Sequence, residues 1–228
     1  MTTEPEATTR RLRVADIAAT PWRNGGGVTR QIATGGLTGV SAEEDTTWGW
    51  RVSLAEVVAE GPFSIFPETD RLIAVIEGAG MDLQAADGTS LALPPFQPVR
   101  FAGEVPYFGR LSDGPVRDLN VMVRRGHYDG NMEIRQGPCR VEAASEPGGA
   151  LLLLNLTGAC RLHLAKSGTD DLAEAEVLIH EGSGSVRLRL EPCAPRPCGG
   201  SAHPAPAEKL KAVRKTPLIS VQAEQTAC

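Results

Sequence analysis

The amino-acid sequence predicts an all-β fold. Between residue 12 and about residue 191, short runs rich in Val, Ile and Leu are separated by Gly, Pro and Asp. Several of these runs alternate apolar and polar residues with a period of two, which is typical of strands with one buried face. Helical signals are few. The spacing of the runs and turns is that of a β-sandwich or a β-barrel.

The predicted strands follow one another at short intervals. In order they are VTRQIA, WGWRVSLAEV, DRLIAVIEG, MDLQA, TSLAL, VRFAG, DLNVMVRR, ALLLLNLTG, CRLHLA, AEVLIH and SVRLRLE. Asp87-Gly88 lies between two of them and favours a two-residue type I′ turn, so a β-hairpin is predicted there. A second turn is predicted at Asp113-Gly114. The segments 12–18 and 169–175 are each predicted to form about two helical turns.

Length and composition exclude several classes of protein. The 228 residues fit one two-lobed domain or two small barrels, and with 41% hydrophobic but only 4% aromatic residues the core must be mainly aliphatic. A net charge of −5 argues against a nucleic-acid surface and a polybasic membrane anchor. The N-terminus has no signal-like apolar core, and no apolar run could span a bilayer. We therefore expect a cytoplasmic protein without nucleic-acid or membrane partners.

The end of the sequence differs in composition from the rest. After Glu191 it becomes rich in Pro, Cys, Gly and Ala, so residues 193–228 are predicted to be a disordered tail. The five cysteines are an odd number, and the CAPRPC spacing of Cys193 and Cys198 is not that of a zinc knuckle or a redox pair. We expect them to be reduced and to have no special role.

A glycine-rich segment, PWRNGGGVTRQI at residues 21–32, is the most distinctive motif. Its spacing matches neither a P-loop nor a dinucleotide-binding fingerprint. Two interpretations stay open: a glycine bulge at the start of a strand, or a flexible segment that holds a ligand. The residues that support the second are Trp22, Asn24, Gly25, Gly26, Gly27 and Arg30.

Three separated segments carry a family resemblance. WRNGGGVTRQIA, WGWRVSLAEVVAEGPFSIFPETDRLIAVIEGAG and DLNVMVRR, in this order, resemble the HutD/Ves family, whose members are associated with bacterial histidine utilisation and stress-induced genes. The resemblance is close over residues 12–126 and weak beyond. It implies a cupin-type (RmlC-like) double β-barrel, a bicupin in one chain. The first barrel would span residues 12–125 and the second residues 126–192, and strand exchange between them stays open.

The sequence predicts no metal site and no cofactor. Many cupins bind a metal through a His-x-His pair, a nearby Glu and a later His. The only histidines here are His127, His163, His180 and His203, and no two are within a few residues of each other. No serine or cysteine lies in a recognisable nucleophile motif.

Strand parity groups the polar residues of two predicted strands. Arg51 and Ser53 share one face of WGWRVSLAEV, and Asp118, Asn120, Met122 and Arg124 share one face of DLNVMVRR. The opposite face of DLNVMVRR carries Leu119, Val121 and Val123. The apolar face would pack better inside a closed barrel, and the polar face could instead line an open mouth, so which face points inward stays open.

Arginine is the main candidate for recognition chemistry, because its planar fork matches a carboxylate. Any one of Arg30, Arg51, Arg71 and Arg124 could instead pair with an internal acid such as Asp118 or Asp70. With four candidates we expect at least one to await a ligand anion. The predicted ligand-binding residues are Trp22, Asn24, Gly25, Gly26, Gly27, Arg30, Arg51, Ser53, Arg71, Asp118, Asn120, Met122 and Arg124.

Three functional hypotheses remain open. The leading one is a metal-free regulator or sensor that binds a small carboxylate metabolite, and the family resemblance implies an acid of histidine degradation such as formylglutamate or urocanate. The second is a metal-independent isomerase or hydrolase with Asp118 or Glu68 as a base. The third is a protein-interaction module. A homodimer is compatible with each of them.

Overall fold

The computed structural model describes residues 8–36, 48–136, 139–145, 149–156, 158, 160–164, 168–182, 184–192 and 217–225. The described chain is almost entirely β-structure, with one short 3₁₀ helix at Val14–Asp16. The strands are β1 (Thr8–Arg13), β2 (Ala19–Pro21), β3 (Gly27–Gly36), β4 (Trp48–Val57), β5 (Gly61–Pro62), β6 (Thr69–Glu77), β7 (Met81–Ala85), β8 (Ser90–Leu93), β9 (Val99–Ala102), β10 (Tyr107–Leu111), β11 (Val116–Arg124), β12 (Tyr128–Gln136), β13 (Cys139–Ser145), β14 (Ala150–Asn155), β15 (Cys160–Leu164), β16 (Gly168–Leu172), β17 (Glu176–Glu181), β18 (Gly184–Pro192) and β19 (Pro217–Gln225).

These strands form four antiparallel sheets. The central sheet has six strands in the order β2-β3-β4-β11-β6-β9. The front sheet has the order β5-β10-β7-β8, the back sheet β1-β17-β14-β19-β12, and the distal sheet β13-β18-β15-β16. The first lobe thus consists of the central and front sheets, and the second lobe of the back and distal sheets.

The main core lies between the central sheet and the back sheet. The central sheet contributes the apolar face of β11, together with Trp50, Val52 and Leu54 of β4 and alternate residues of β6. The back sheet contributes Leu152 and Leu154 of β14, with buried residues of β12, β17 and β19. Because each strand presents every second residue to this core, its remaining residues point to the opposite face of the sheet.

A second core lies on the opposite face of the central sheet. Ile73 and Val75 of β6 pack there with Met81 and Leu83 of β7, which belong to the front sheet, and with Leu93 of β8. The sequence left the orientation of β11 open, and in the structure Leu119, Val121 and Val123 face the second lobe rather than the interior of their own lobe. The polar set on the other face of β11 points into the first lobe.

Local predictions agree with the structure in part. The predicted hairpin at Asp87-Gly88 is formed by β7 and β8. Its turn is not type I′, because that type needs a positive φ at both central residues and only Gly88 has one, of 90°. The Gly88 amide donates to the carbonyl of Ala85. Asp113-Gly114 lies in a bend between β10 and β11, where Gly114 has a φ of 67°. The predicted helix at 169–175 is wrong, since these residues form β16 and a turn, and only the 3₁₀ helix replaces the one predicted at 12–18.

The ends of the described chain complete the second lobe. β1 pairs with β17, so residues from the start of the sequence exchange into the sheet of the second lobe. β19 pairs with both β12 and β14, which corrects the prediction of a disordered tail for residues 217–225. The rest of the predicted tail, with Cys193, Cys198, His203 and Cys228, lies outside the described residues. No helix within the described residues is long and apolar enough to cross a membrane.

Candidate functional site

A hollow of about 730 Å³ lies on the front face of the central sheet. Its wall is formed by β3, β4, β6 and β11, and its rim by the segment from Thr20 to Asn24 and the segment from Pro62 to Phe66. Eight of the thirteen sequence-predicted residues line it: Trp22, Asn24, Arg51, Ser53, Arg71, Asp118, Asn120 and Met122. The polar faces predicted from strand parity are thus brought together in one cavity.

The triple-glycine segment shapes the rim without lining the hollow. Gly25 takes a φ of 71° in the turn that leads into β3, and the Trp22 amide donates to the carbonyl of Gly27. Gly27 is packed so closely that a Cβ there would lie 2.3 Å from the backbone oxygen of Glu56 and 3.2 Å from the Trp22 ring. The turn therefore needs glycine, because its backbone packs too closely to leave room for a side chain at Gly27.

This turn holds the two recognition side chains of the motif in place. The Trp22 indole Nε1 donates to Thr29 Oγ1 over 2.8 Å, and Asn24 Oδ1 accepts from the Gly26 amide over 3.0 Å. The Asn24 contact is an Asx-type turn, which fixes the amide at the rim. Both interpretations of the motif are consistent with this geometry, because the bulge-like turn also presents Trp22 and Asn24 to the hollow.

Arg71 on β6 is buried in an aromatic cage. Arg71 is only 5% exposed. Its guanidinium carbon lies 5.4, 5.5 and 5.1 Å from the ring centroids of Phe63, Phe66 and Phe101, respectively. Its Nη1 donates to the carbonyl oxygen of Ser64 over 3.3 Å, and its buried Nε has no hydrogen-bond partner. Within the described residues, no acidic side chain forms an ion pair with this guanidinium.

Burial makes the charged form of Arg71 energetically unfavourable. Burial lowers the pKa of Arg71 to about 10, the nearby Asp118 opposes this shift, and the positive charge of Arg51 adds to it. Cation–π contacts with three rings offset part of the lost hydration. The guanidinium is nevertheless left with hydrogen-bonding capacity that the surrounding described residues do not use.

Asp118 on β11 is the buried acid of the hollow. It is 2% exposed, and burial raises its pKa to about 7, with Arg71 opposing the rise. The buried Oδ1 of Asn120, which has no hydrogen-bond partner, lies two residues further along the same face. An unsatisfied acceptor on Asn120 and the unsatisfied Nε of Arg71 therefore share one cavity with Asp118.

The strand register arranges these groups in rows. Met122 lies opposite Arg51 on β4 and opposite Arg71 on β6. Asn120 lies opposite Ser53, and Asp118 lies one further row along the sheet. Since residues of the same face are about 7 Å apart along a strand, the cationic row and the acidic residue are separated by the Asn120 row.

The remaining predicted residues lie outside the hollow. Arg30 points away from it and forms an ion pair with Glu56. Arg124 contacts the Pro67 carbonyl at 3.4 Å and has Glu68 at 3.8 Å. Both arginines are thus matched with internal acceptors, which is the alternative that the sequence left open for any one of the four.

Several lining residues were not predicted. Phe63 and Phe66 line the hollow and contact Arg71. Thr29 and Gln31 of β3 also line it, and the alternation within VTRQI could have indicated this, because it places these two opposite Arg30 and Ile32. No comparable periodicity marks Arg23 or Ser64, which lie in irregular segments of the rim.

No group of three or more His, Cys, Asp or Glu side chains converges on a metal-binding geometry among the described residues. His127 lies in the turn after β11, and His180 on β17 contacts Thr9 Oγ1 at 2.9 Å, away from the hollow. The chemistry that the hollow offers is therefore that of guanidinium, amide, carboxyl and aromatic groups.

Comparisons with known proteins agree with this fold. The chain is 32% identical over 180 residues to an uncharacterised 21.2 kDa protein in the hutC 3′ region of Pseudomonas putida, covering 79% of this chain and 90% of that protein. HutD from Pseudomonas fluorescens SBW25, solved in a formate condition, aligns with a TM-score of 0.73 and 24% identity over 96% of this chain and 100% of that chain.

A more distant likeness defines the fold class. Oxalate decarboxylase from Lactobacillus farciminis, solved as a formate complex, aligns with a TM-score of 0.51 and 9% identity, covering 93% of this chain and 85% of that chain. The fold is therefore all-β and cupin-like. The model of the family described as HutD matches residues 14–194. With this match and the Pseudomonas putida relative, the chain belongs to the HutD family.

Proposed function

We propose that the hollow binds a small carboxylate metabolite and that the protein acts as a regulator or sensor in histidine utilisation. The observation that supports this most is Arg71: a buried guanidinium with an unpartnered Nε, caged by aromatic rings and lining an open cavity. A buried cation is strongly unfavourable unless a counter-charge accompanies it. A ligand carboxylate would supply both the charge and the missing acceptors.

The charge of the lining supports an anionic ligand. Among the described residues that line the hollow, the charged or titratable ones are Arg23, Arg51, Arg71 and Asp118. The single acid among them has a pKa raised to about 7, so at neutral pH it offsets the charge of Arg71 only in part. Trp22 adds a flat apolar wall, and Asn24 and Asn120 supply amide groups that can orient a polar molecule.

The relatives suggest which acids to test. One is encoded in the hutC 3′ region of its genome and another is named HutD, and both facts associate the family with histidine utilisation. We propose that the ligand is an acid of that degradation, such as urocanate or N-formylglutamate. Both are small enough for a hollow of about 730 Å³.

A thermal-shift screen with these acids tests the proposal. For an acid present at 100 times its Kd, we expect stabilisation by about 2.7 kcal/mol, which for a chain of this size raises Tm by roughly 5 °C or more. In Arg71→Met, which keeps the aliphatic stem inside the aromatic cage, this shift should be lost.

The matched control is Arg30→Met, because Arg30 belongs to the same sheet but forms its ion pair with Glu56 outside the hollow. This variant should keep the ligand-induced shift. If no acid stabilises the wild-type protein at millimolar concentration, or if both arginine variants lose the shift equally, binding through Arg71 is refuted.

A second candidate function is a metal-independent reaction on the same acid. Asp118 supports it, because a buried carboxyl group that lines the hollow and has a pKa raised to about 7 has the properties of a general base near neutral pH. NMR spectra of the bound acid, followed for hours, distinguish the two functions. Conversion that stops in Asp118→Asn would favour the enzyme, and an unchanged acid favours the sensor.

We also propose that the two lobes are the two barrels of a bicupin. The apolar core between the central and front sheets supports the first barrel, and the back and distal sheets would form the second. The shared core between the central and back sheets would then be the interface between the barrels.

A further inference from the structure

Asp118 and Arg71 face the same cavity without forming a contact ion pair. They lie on the adjacent strands β11 and β6, both are buried, and both line the hollow. No ion pair joins the two side chains, and the Arg71 Nε has no hydrogen-bond partner. A ligand anion seated on Arg71 would therefore enter a space that already holds a carboxyl group.

We infer, on the basis of the proposed function, that Asp118 sets the charge that the hollow accepts: a small anion binds together with one proton, which Asp118 takes up from solvent. Asp118 is in this view a specificity-determining residue. It disfavours anion binding when it is ionised, and it permits binding when it is neutral. The protonated carboxyl group can also donate its O–H to the bound ligand.

The electrostatic reasoning rests on the neighbours of Asp118. The charged side chains that line the hollow with it are Arg71 on β6, Arg51 on β4 and Arg23 at the rim, whereas the segment from Pro62 to Phe66 adds no titratable group. A bound anion weakens the positive field of Arg71, and it places a like charge near Asp118. When two carboxylates share one site, one of them retains a proton.

In the unliganded protein, Asp118 is already partly protonated near neutral pH. Burial raises the pKa of Asp118 to about 7, so that a modest additional rise on anion binding leaves Asp118 protonated at neutral pH. Binding and protonation are then linked, and each must strengthen the other.

Isothermal titration calorimetry measures this linkage directly. N-formylglutamate is the probe, because none of its own groups titrates near neutral pH, and formate is the second probe, because it is the smallest carboxylate. At pH 8, repeating the titration in buffers with different ionisation enthalpies should reveal net proton uptake on binding, of at most about one proton for each bound anion. The Kd of the wild-type protein should rise about tenfold for each pH unit above 7.

Two variants complete the experiment. Asp118→Asn keeps the shape of the side chain but cannot ionise, so its Kd should not change with pH and should be about tenfold lower than that of the wild-type protein at pH 8. Asp113→Asn, an exposed acid in the turn before the same strand, should behave like the wild-type protein.

The outcomes separate the two proposals. If neither N-formylglutamate nor formate binds to the wild-type protein, and no acid of the thermal-shift screen stabilises it, the proposed function fails, and this inference fails with it. If either acid binds with no proton uptake and with a Kd that is constant between pH 6 and pH 8, the proposed function stands, and the role of Asp118 is refuted.

Discussion

Asp118 gives the stability of the unliganded protein a definite dependence on pH. The ordinary pKa of this carboxyl group is 3.8, and burial in the folded protein raises it to about 7. Between these values the folded state holds a proton that the unfolded state has lost, so the free energy of unfolding falls as the pH rises through this range. The loss is complete above the folded pKa.

Asp118→Asn should remove this dependence. The free energy of unfolding of the variant, measured relative to that of the wild-type protein, should rise by on the order of 3 kcal/mol between pH 4 and pH 8. All other ionisable groups contribute equally to both proteins. Urea unfolding at several pH values measures the difference, and Asp113→Asn serves as the control. A difference that stays constant across this range would contradict the raised pKa.

For single residues, the sequence predicts which side chains share a strand face better than it predicts which side chains surround them in the fold. Alternation within DLNVMVRR correctly grouped Asp118, Asn120 and Met122 on one face. It could not show that Phe63, Phe66 and Phe101 surround Arg71, because these rings come from a rim segment and from β9, whose position depends on long-range packing. Likewise, nothing local distinguishes Arg30, which pairs with Glu56, from Arg71.

The turn between β2 and β3 is the element that most depends on its exact sequence. An alanine Cβ at Gly27 would lie 2.3 Å from the Glu56 carbonyl oxygen, which belongs to the paired strand β4. We expect Gly27→Ala to destabilise the protein by about 3 kcal/mol, because the backbone of β3 must move away from β4. Chemical denaturation measures this loss.

Gly25→Ala is the matched control for that variant. A Cβ at Gly25 meets no atom within 4 Å, so only its φ of 71° opposes substitution, at a cost of about 1 kcal/mol. Equal losses for the two variants would show that conformation, and not close packing against β4, makes glycine necessary here.

The eleven strands predicted from the sequence are all present, but others, such as β10, β12 and β13, were not predicted. Two of the failures have identifiable physical causes. The segment 169–175 begins with Thr-Asp-Asp, which resembles a helix start, but β16 pairs with β15 and the neighbouring strand overrides the local preference. The strand at 217–225 was missed because a long Pro-rich and Gly-rich stretch separates it from the other strands, and composition alone cannot reveal a distant pairing partner.

At the scale of the whole molecule, we expect the shared core to make the two lobes one cooperative unit. Val221 of β19 is 1% exposed and packs in the same cluster as Trp50 of β4. We expect Val221→Asp to destabilise the protein by at least about 3 kcal/mol and to lower Tm by roughly 10 °C, because it buries an unpaired charge. Val58→Asp, at a valine that is 55% exposed, should have little effect.

Fluorescence and circular dichroism together test the coupling. All three tryptophans, at positions 22, 48 and 50, belong to the first lobe, whereas circular dichroism reports on strands of both lobes. In Val221→Asp the two signals should shift together to the lower temperature. If the fluorescence transition keeps its wild-type Tm, the lobes unfold independently, and the shared core does not couple them.

The sequence indicated two lobes, but it could not show which face of β11 joins them. Both faces of the central sheet are covered, and the strands that cover the apolar face, β14, β17 and β19, come from far along the chain. Parity therefore defines two sets of residues, and only the long-range topology decides that the polar set borders the hollow.

The position of β19 within the back sheet also constrains how the protein is made. This strand, at Pro217–Gln225, lies between β14 and β12, both of which leave the ribosome much earlier during synthesis. Until residue 225 has emerged, neither of these strands has its partner on that side, and the apolar face of the central sheet lacks part of its cover. The nascent chain must therefore keep exposed strand edges from aggregating while translation continues.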